Sequence, residues 1–160
     1  MVGTTTATIH VVKRFLKYWL PVLVWLGVIF IGSSDLMSAE HTSRFLIPFL
    51  RWLRPDISPE MLALIQFVMR KGAHVAEYAI LALLFFRAVY HGSNLKWSMS
   101  ILCVNIWLVC VLVAALDEFH QSFVESRGAS PWDVMIDSAG AVLGLLIGYG
   151  LWRRKDRPLE

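Results

Sequence analysis

The sequence predicts an all-α integral membrane protein of four transmembrane helices, with an amphipathic interfacial helix in its first external loop. Three observations predict it. The 160 residues are 57% hydrophobic and only 17% charged, with mean hydropathy +0.59, against about 25% charged in an ordinary soluble domain. The apolar residues are gathered into long runs instead of alternating with polar ones. The basic residues sit at the ends of those runs, where Lys and Arg set membrane orientation. A net charge of +3 distributed in that way is not a nucleic-acid patch. The length holds one domain, residues 1–160, with spans at about 18–33, 72–90, 97–116 and 133–152.

Residues 1–17 read as a short polar start carrying Lys13, Arg14 and Lys17. The first span follows, with Pro21 placed near its beginning, where proline is tolerated. Residues 31–35 match a signal-peptide cleavage site poorly, so the span is expected to be retained. Next, Phe45, Leu46, Phe49, Leu50 and Leu53 recur at helical spacing among Arg44, Arg51 and Arg54. That pattern predicts a helix lying in the membrane interface or packed on the bundle.

Ser58-Pro59 is a helix start, a cap before proline at the first helical position. The helical pattern then runs to about Tyr90. Such a length exceeds a bilayer core, so the helix either tilts or breaks near Gly72. The third span contains Asn105, expected to bond a neighbouring helix. It also contains Cys103 and Cys110, roughly 10 Å apart on a helix and so unable to form a disulfide within it; both read as packing residues. Ser130-Pro131 starts the fourth span, and Trp132 is its interfacial anchor.

Basic residues at the amino terminus, in the 87–96 connector and in the tail put those three regions on one side. By the positive-inside rule that side is cytoplasmic, with both termini there. The expected location is the inner membrane of a bacterium, in multi-pass form. Residues 33–71 and 117–132 are then external, and the polar clusters fall toward that face.

Ionisable groups in or beside a membrane span mark a functional site by default. Lys71, His74, Glu77 and Tyr78 share one helix face, and so do Asp117, His120 and Gln121. Asp133, Asp137, Gly140, Gly144 and Gly148 follow the same spacing, and their glycines allow a close helix approach, within the chain or in a homo-oligomer. In the catalytic reading, His74, Glu77, Asp117 and His120 supply acid, base and orienting groups. Lys71, Gln121, Arg127, Asp133 and Asp137 then bind substrate, the two cations holding an anion such as a lipid phosphate. In the structural reading, Asp117 or Asp133 pairs with Lys71 or Arg127 to close the external end of a bundle.

His74, Asp117, His120, Asp133 and Asp137 are residue types that bind zinc, but no helix carries HxxxH or HExxH spacing, and the metal and any cofactor stay open. The chain has no CxxC, no GxSxG elbow and no Gly-rich phosphate loop, and Ser33 or Ser34 becomes a nucleophile only if a base reaches it. Four short spans leave little room for a transport pathway, and no paired half-helix pattern is present.

The set Ser33-Ser34, Lys71-x-x-His74-x-x-Glu77-Tyr78, Asp117-Glu118-x-His120-Gln121-x-Phe123, Arg127, Asp133 and Gly140-Ala141-x-x-Gly144 resembles the VanZ-like family over nearly the whole chain. One departure is Asp137, where the family usually carries Asn. The resemblance implies a small membrane protein of the bacterial envelope, in a family whose named member is linked to low-level teicoplanin resistance. The expected partners are membrane lipids and a lipid-linked cell-wall intermediate, and the function is action on, or binding of, such a molecule. The alternative is a non-enzymatic accessory protein whose charged cluster is structural and whose amphipathic segment recruits a partner.

Overall fold

Long apolar runs without internal polar punctuation form helices in a membrane because every backbone hydrogen bond closes within the segment. The computed structural model describes residues 2–34, 39–93, 97–124 and 128–155. Those residues form five helices and no strand: α1 (Val2–Gly32), α2 (Ala39–Leu53), α3 (Pro59–Gly92), α4 (Met99–Gln121) and α5 (Pro131–Lys155). Four of them contain a stretch long and apolar enough to cross a membrane: Val12–Gly32, Pro59–Gly92, Met99–Gln121 and Pro131–Arg154.

Helix α1 begins well before the expected polar boundary. Pro21 therefore lies inside the helix, where it removes one backbone donor that neighbouring groups must accommodate. Helix α3 is continuous through Gly72, so its excess length is not taken up by a break. Ser58 caps it, the hydroxyl accepting from the Met61 N–H at 3.3 Å. Ser98 caps α4 in the same way, accepting from the Ile101 N–H at 3.4 Å. Asn105 bonds no neighbouring helix among the described residues. Its amide donates to the Ile101 carbonyl of α4 itself at 2.8 Å.

Helix α3 is the hub and packs against all four others, most extensively against α5. The glycines of α5 explain this. A Cβ at Gly140 would lie 2.5 Å from the Val75 carbonyl oxygen, and one at Gly144 would overlap the Ala79 carbonyl. Gly148 faces the Phe86 ring. The homo-oligomer contact expected through these three glycines therefore has no free face there, because α3 of the same chain fills it. Below the polar end, Tyr78, Leu81, Ala82, Phe86, Leu102, Ile106, Cys110, Ala114, Ala141 and Leu145 form the core. Cys110 is buried, Cys103 packs against that core, and both are free thiols.

The helices meet in two distinct ends. At one, the Arg14 guanidinium donates to the His91 carbonyl at 2.9 and 3.2 Å, closing the C-terminus of α3 with a cation. Trp152 donates to the Tyr90 hydroxyl at 2.8 Å. Ser33, at the end of α1, and Asp117, near the end of α4, bond one another at the opposite end. Around the outside, side chains such as Leu23, Val24, Leu108, Leu112, Leu116 and Leu146 are exposed, an apolar surface far larger than a soluble monomer carries. Helix α2 stands on the side of α3, with Phe45 83% and Trp52 78% exposed.

Candidate functional site

The polar residues of four helices converge at the end of the bundle where α1 stops and α5 starts. Three linked pairs hold it. The Ser33 hydroxyl donates to Asp117 Oδ1, and the Gln121 amide donates to Asp117 Oδ2 at 3.0 Å. Lys71 forms an ion pair with Asp133. His74 Nδ1 lies 3.0 Å from Asp137 Oδ1. One further bond ties α4 to the start of α5: the Ser130 backbone N–H donates to Glu118 Oε2 at 2.8 Å. Asp117, Glu118, Gln121, Asp133, Asp137, His74 and Ser33 are all buried.

Helical spacing explains the convergence. Lys71, His74 and Tyr78 lie three and four residues apart on α3, as Asp133 and Asp137 do on α5, so both rows point into the α3–α5 contact. Asp117 and Gln121 are one turn apart on α4 and meet Ser33, which sits just past the end of α1.

A cavity of about 370 Å³ opens beside this cluster. Its apolar walls come from Val28, Ile31, Leu46 and Met69, and its polar end carries Ser33, Arg70, His74, Glu77, Asp117 and Gln121. Arg70 is half-buried, and its Nε has no hydrogen-bond partner among the described residues. Five other buried atoms share that condition: the Tyr78 hydroxyl, Glu118 Oε1, His120 Nδ1, Gln121 Oε1 and Asp137 Oδ2. Buried polar atoms without partners are uncommon, and each calls for an explanation.

The expected site residues are thus mostly brought together, with different partners from those expected. Asp117 engages a serine and a glutamine and, among the described residues, orients no histidine. His120 lies apart, its ring against Phe30 with centroids 4.7 Å apart. Glu77 borders the cavity from α3. Lys71 is committed to Asp133, as one arm of the structural reading has it. Arg127 falls outside the described residues.

Three residues at this end were not among the site residues expected from sequence, although Ser33 and Glu118 stand in the family-like motifs. Arg70 adjoins Lys71, and its role depends on which of two consecutive cations faces the cavity. Glu118 adjoins Asp117 and points to a different neighbour. Ser33 gains its place only through contact with α4. Among the described residues, His74, Glu118 and Asp137 form a group able to hold a metal ion.

Sequence comparison matches the VanZ/LLP1 family over residues 18–153. The chain belongs to the VanZ/LLP1 family. The match runs from within α1 to the last turn of α5, so it includes every helix that contributes to the cluster. Neither the curated proteins nor the solved structures compared with this VanZ/LLP1 chain contain a match. The family assignment therefore rests on the family model together with a fold of four apolar, membrane-length helices.

Proposed function

We propose that this VanZ/LLP1 protein binds the head group of an anionic lipid, or of a lipid-linked glycan, at the external face of a bacterial inner membrane. One observation carries the reading. The cavity is amphipathic in the sense a lipid requires, with Val28, Ile31, Leu46 and Met69 on one part of its wall and Arg70, His74, Ser33, Asp117 and Gln121 on another. Pockets for small molecules combine mostly apolar walls with a few placed polar groups.

In this reading Arg70 meets the phosphate, since guanidinium presents paired donors to a phosphate. Ser33, Gln121 and Asp117 hydrogen-bond the uncharged part of the head group, and Glu77 and His74 border it. Lys71 positions Asp133 instead of contacting ligand. Helix α2 lies in the interface with its exposed aromatic residues in lipid and lends Thr42 and Leu46 to the cavity wall. Orientation follows the positive-inside rule: Lys13, Arg14, Lys17, Arg87, Arg153 and Arg154 belong to the cytoplasmic end, with both termini, and the cavity is external.

Native mass spectrometry of the protein, extracted gently from its own membrane, tests the proposal. A retained anionic lipid mass is expected in the native chain and at least a tenfold reduction in Arg70→Gln. Clean apo-protein in both, with equal folding, overturns it. The family's link to glycopeptides makes teicoplanin susceptibility the phenotype to follow, with Arg70→Gln and Asp117→Asn expected to lose any protection the native chain gives.

A second reading has its own support, since the Lys71–Asp133, His74–Asp137 and Ser33–Asp117 pairs each join two helices. There the cluster is a structural clasp, and substitutions lower thermal stability and envelope phenotype in parallel.

A further inference from the structure

The buried acids exceed what their partners explain. Glu118, on α4, and Asp137, on α5, each keep one carboxylate oxygen buried and without a hydrogen-bond partner among the described residues: Glu118 Oε1 and Asp137 Oδ2. Asp137 is 0% exposed, His74 5% and Glu118 6%. Lys71 is engaged with Asp133. An uncompensated buried carboxylate oxygen is costly, and buried charges are normally paired or coordinate a metal.

We propose that His74, Glu118 and Asp137 form a binding site for a divalent transition-metal ion of the zinc or manganese class, beside the cavity that His74 lines. Each residue offers one ligand atom, and these atoms lie within 4.8 Å of one another. Donors at 2.0–2.2 Å from one ion in tetrahedral geometry are about 3.4 Å apart, so the widest separation in the trio must contract by up to about 1.4 Å, through side-chain rotation, on binding. The 3.0 Å between His74 Nδ1 and Asp137 Oδ1 is also a normal spacing for two neighbouring donors on one ion. On binding, the proton between them leaves to solvent and the metal takes its place.

One imidazole and two carboxylates favour a borderline ion over calcium or magnesium, which prefer all-oxygen shells. Three protein ligands from three helices leave at least one position open, as in metal sites that engage a further ligand. His74 also lines the cavity, so the site adjoins it. The remaining Glu118 oxygen is held by the Ser130 N–H, which fixes the carboxylate in the manner of outer-shell bonds around metal ligands. This inference rests on the three side chains and does not require the lipid reading.

The test uses the full chain without a polyhistidine tag, in nanodiscs of neutral phosphatidylcholine, so that its outcome is independent of anionic lipid. The protein is stripped with chelator, equilibrated with Zn²⁺, Mn²⁺ or Co²⁺ and measured by elemental analysis. One Zn²⁺ or Mn²⁺ per chain is expected, with affinity at least tenfold weaker in His74→Ala, Glu118→Gln and Asp137→Asn and unchanged in Glu60→Gln, on the exposed start of α3. If stripped wild type takes up no metal, or if the three variants bind as wild type does, the proposal is overturned. Should a variant fail to fold, wild type decides. Visible Co²⁺ absorption bands that one equivalent of Zn²⁺ abolishes support the site, and their absence overturns it.

Discussion

Lys71 and Asp133 show how a single pair sets the chemistry of its neighbours. Because Asp133 is buried and Lys71 only a quarter exposed, removing one partner strands the other. Lys71→Met is expected to lower stability by up to about 3 kcal/mol, the low end for buried pairs because Lys71 reaches solvent. Thermal unfolding in nanodiscs checks this, and Lys71→Met combined with Asp133→Leu should recover most of the loss. Recovery of folding without recovery of ligand binding would separate the clasp from the site. Ser33 makes a complementary case. Ser33→Ala leaves Asp117 Oδ1 without its hydroxyl donor while Gln121 still serves Oδ2. A loss of about 1–2 kcal/mol is expected, in line with a buried acceptor losing one bond.

At the scale of elements, the α3–α5 contact is the most sensitive surface in the protein. Gly140→Ala and Gly144→Ala place a methyl group against backbone carbonyls that have no rotamer to yield. Each should cost about 1–3 kcal/mol or more, and Gly144→Ala more than Gly140→Ala. Gly150→Ala, with nothing within 4 Å of its added Cβ, should be close to neutral. Melting temperatures of the three variants in one nanodisc preparation make the comparison. Helix α2 behaves differently, because Phe45, Phe49 and Trp52 point outward and it packs chiefly on α3. In a Cys103→Ala, Cys110→Ala background, a fluorophore at Phe45→Cys should be quenched by spin-labelled lipid more strongly than one at Arg51→Cys. Equal quenching would mean that α2 does not lie in the membrane interface.

Across the whole molecule, the two ends differ in kind. One gathers arginines, lysines and aromatic caps around Tyr18, Tyr90, His91 and Trp152, and the other gathers buried acids and their donors. In intact cells, an impermeant thiol reagent should label Ala129→Cys, just before α5, and not Arg154→Cys, in the same Cys103→Ala, Cys110→Ala background. The reverse pattern would place the cavity in the cytoplasm and remove the external-face proposal.

The membrane class, the four spans and the family were legible in sequence because they depend on local composition and on motif spacing, which do not need the fold. The same holds for the face shared by Lys71 and His74, since helical geometry alone places residues three apart together. Helix ends were less legible: α1 extends through a weakly apolar start, and nothing local marks where it begins. Partner choice was legible only as a set of alternatives, of which Lys71 with Asp133 was one. Lys71 and Arg70 are adjacent cations, yet Lys71 is taken up by Asp133 and Arg70 borders the cavity; Asp117 and Glu118 are adjacent acids, yet Asp117 meets Ser33 while Glu118 meets the Ser130 N–H and keeps one oxygen unmatched. That division depends on how far α5 can approach α3, which Gly140 and Gly144 permit. The sequence by itself determined which groups are available and on which helix they stand. Only tertiary packing decided which of them meet, because pairing across helices depends on rotation and distance between axes, and neither is encoded within a single helix.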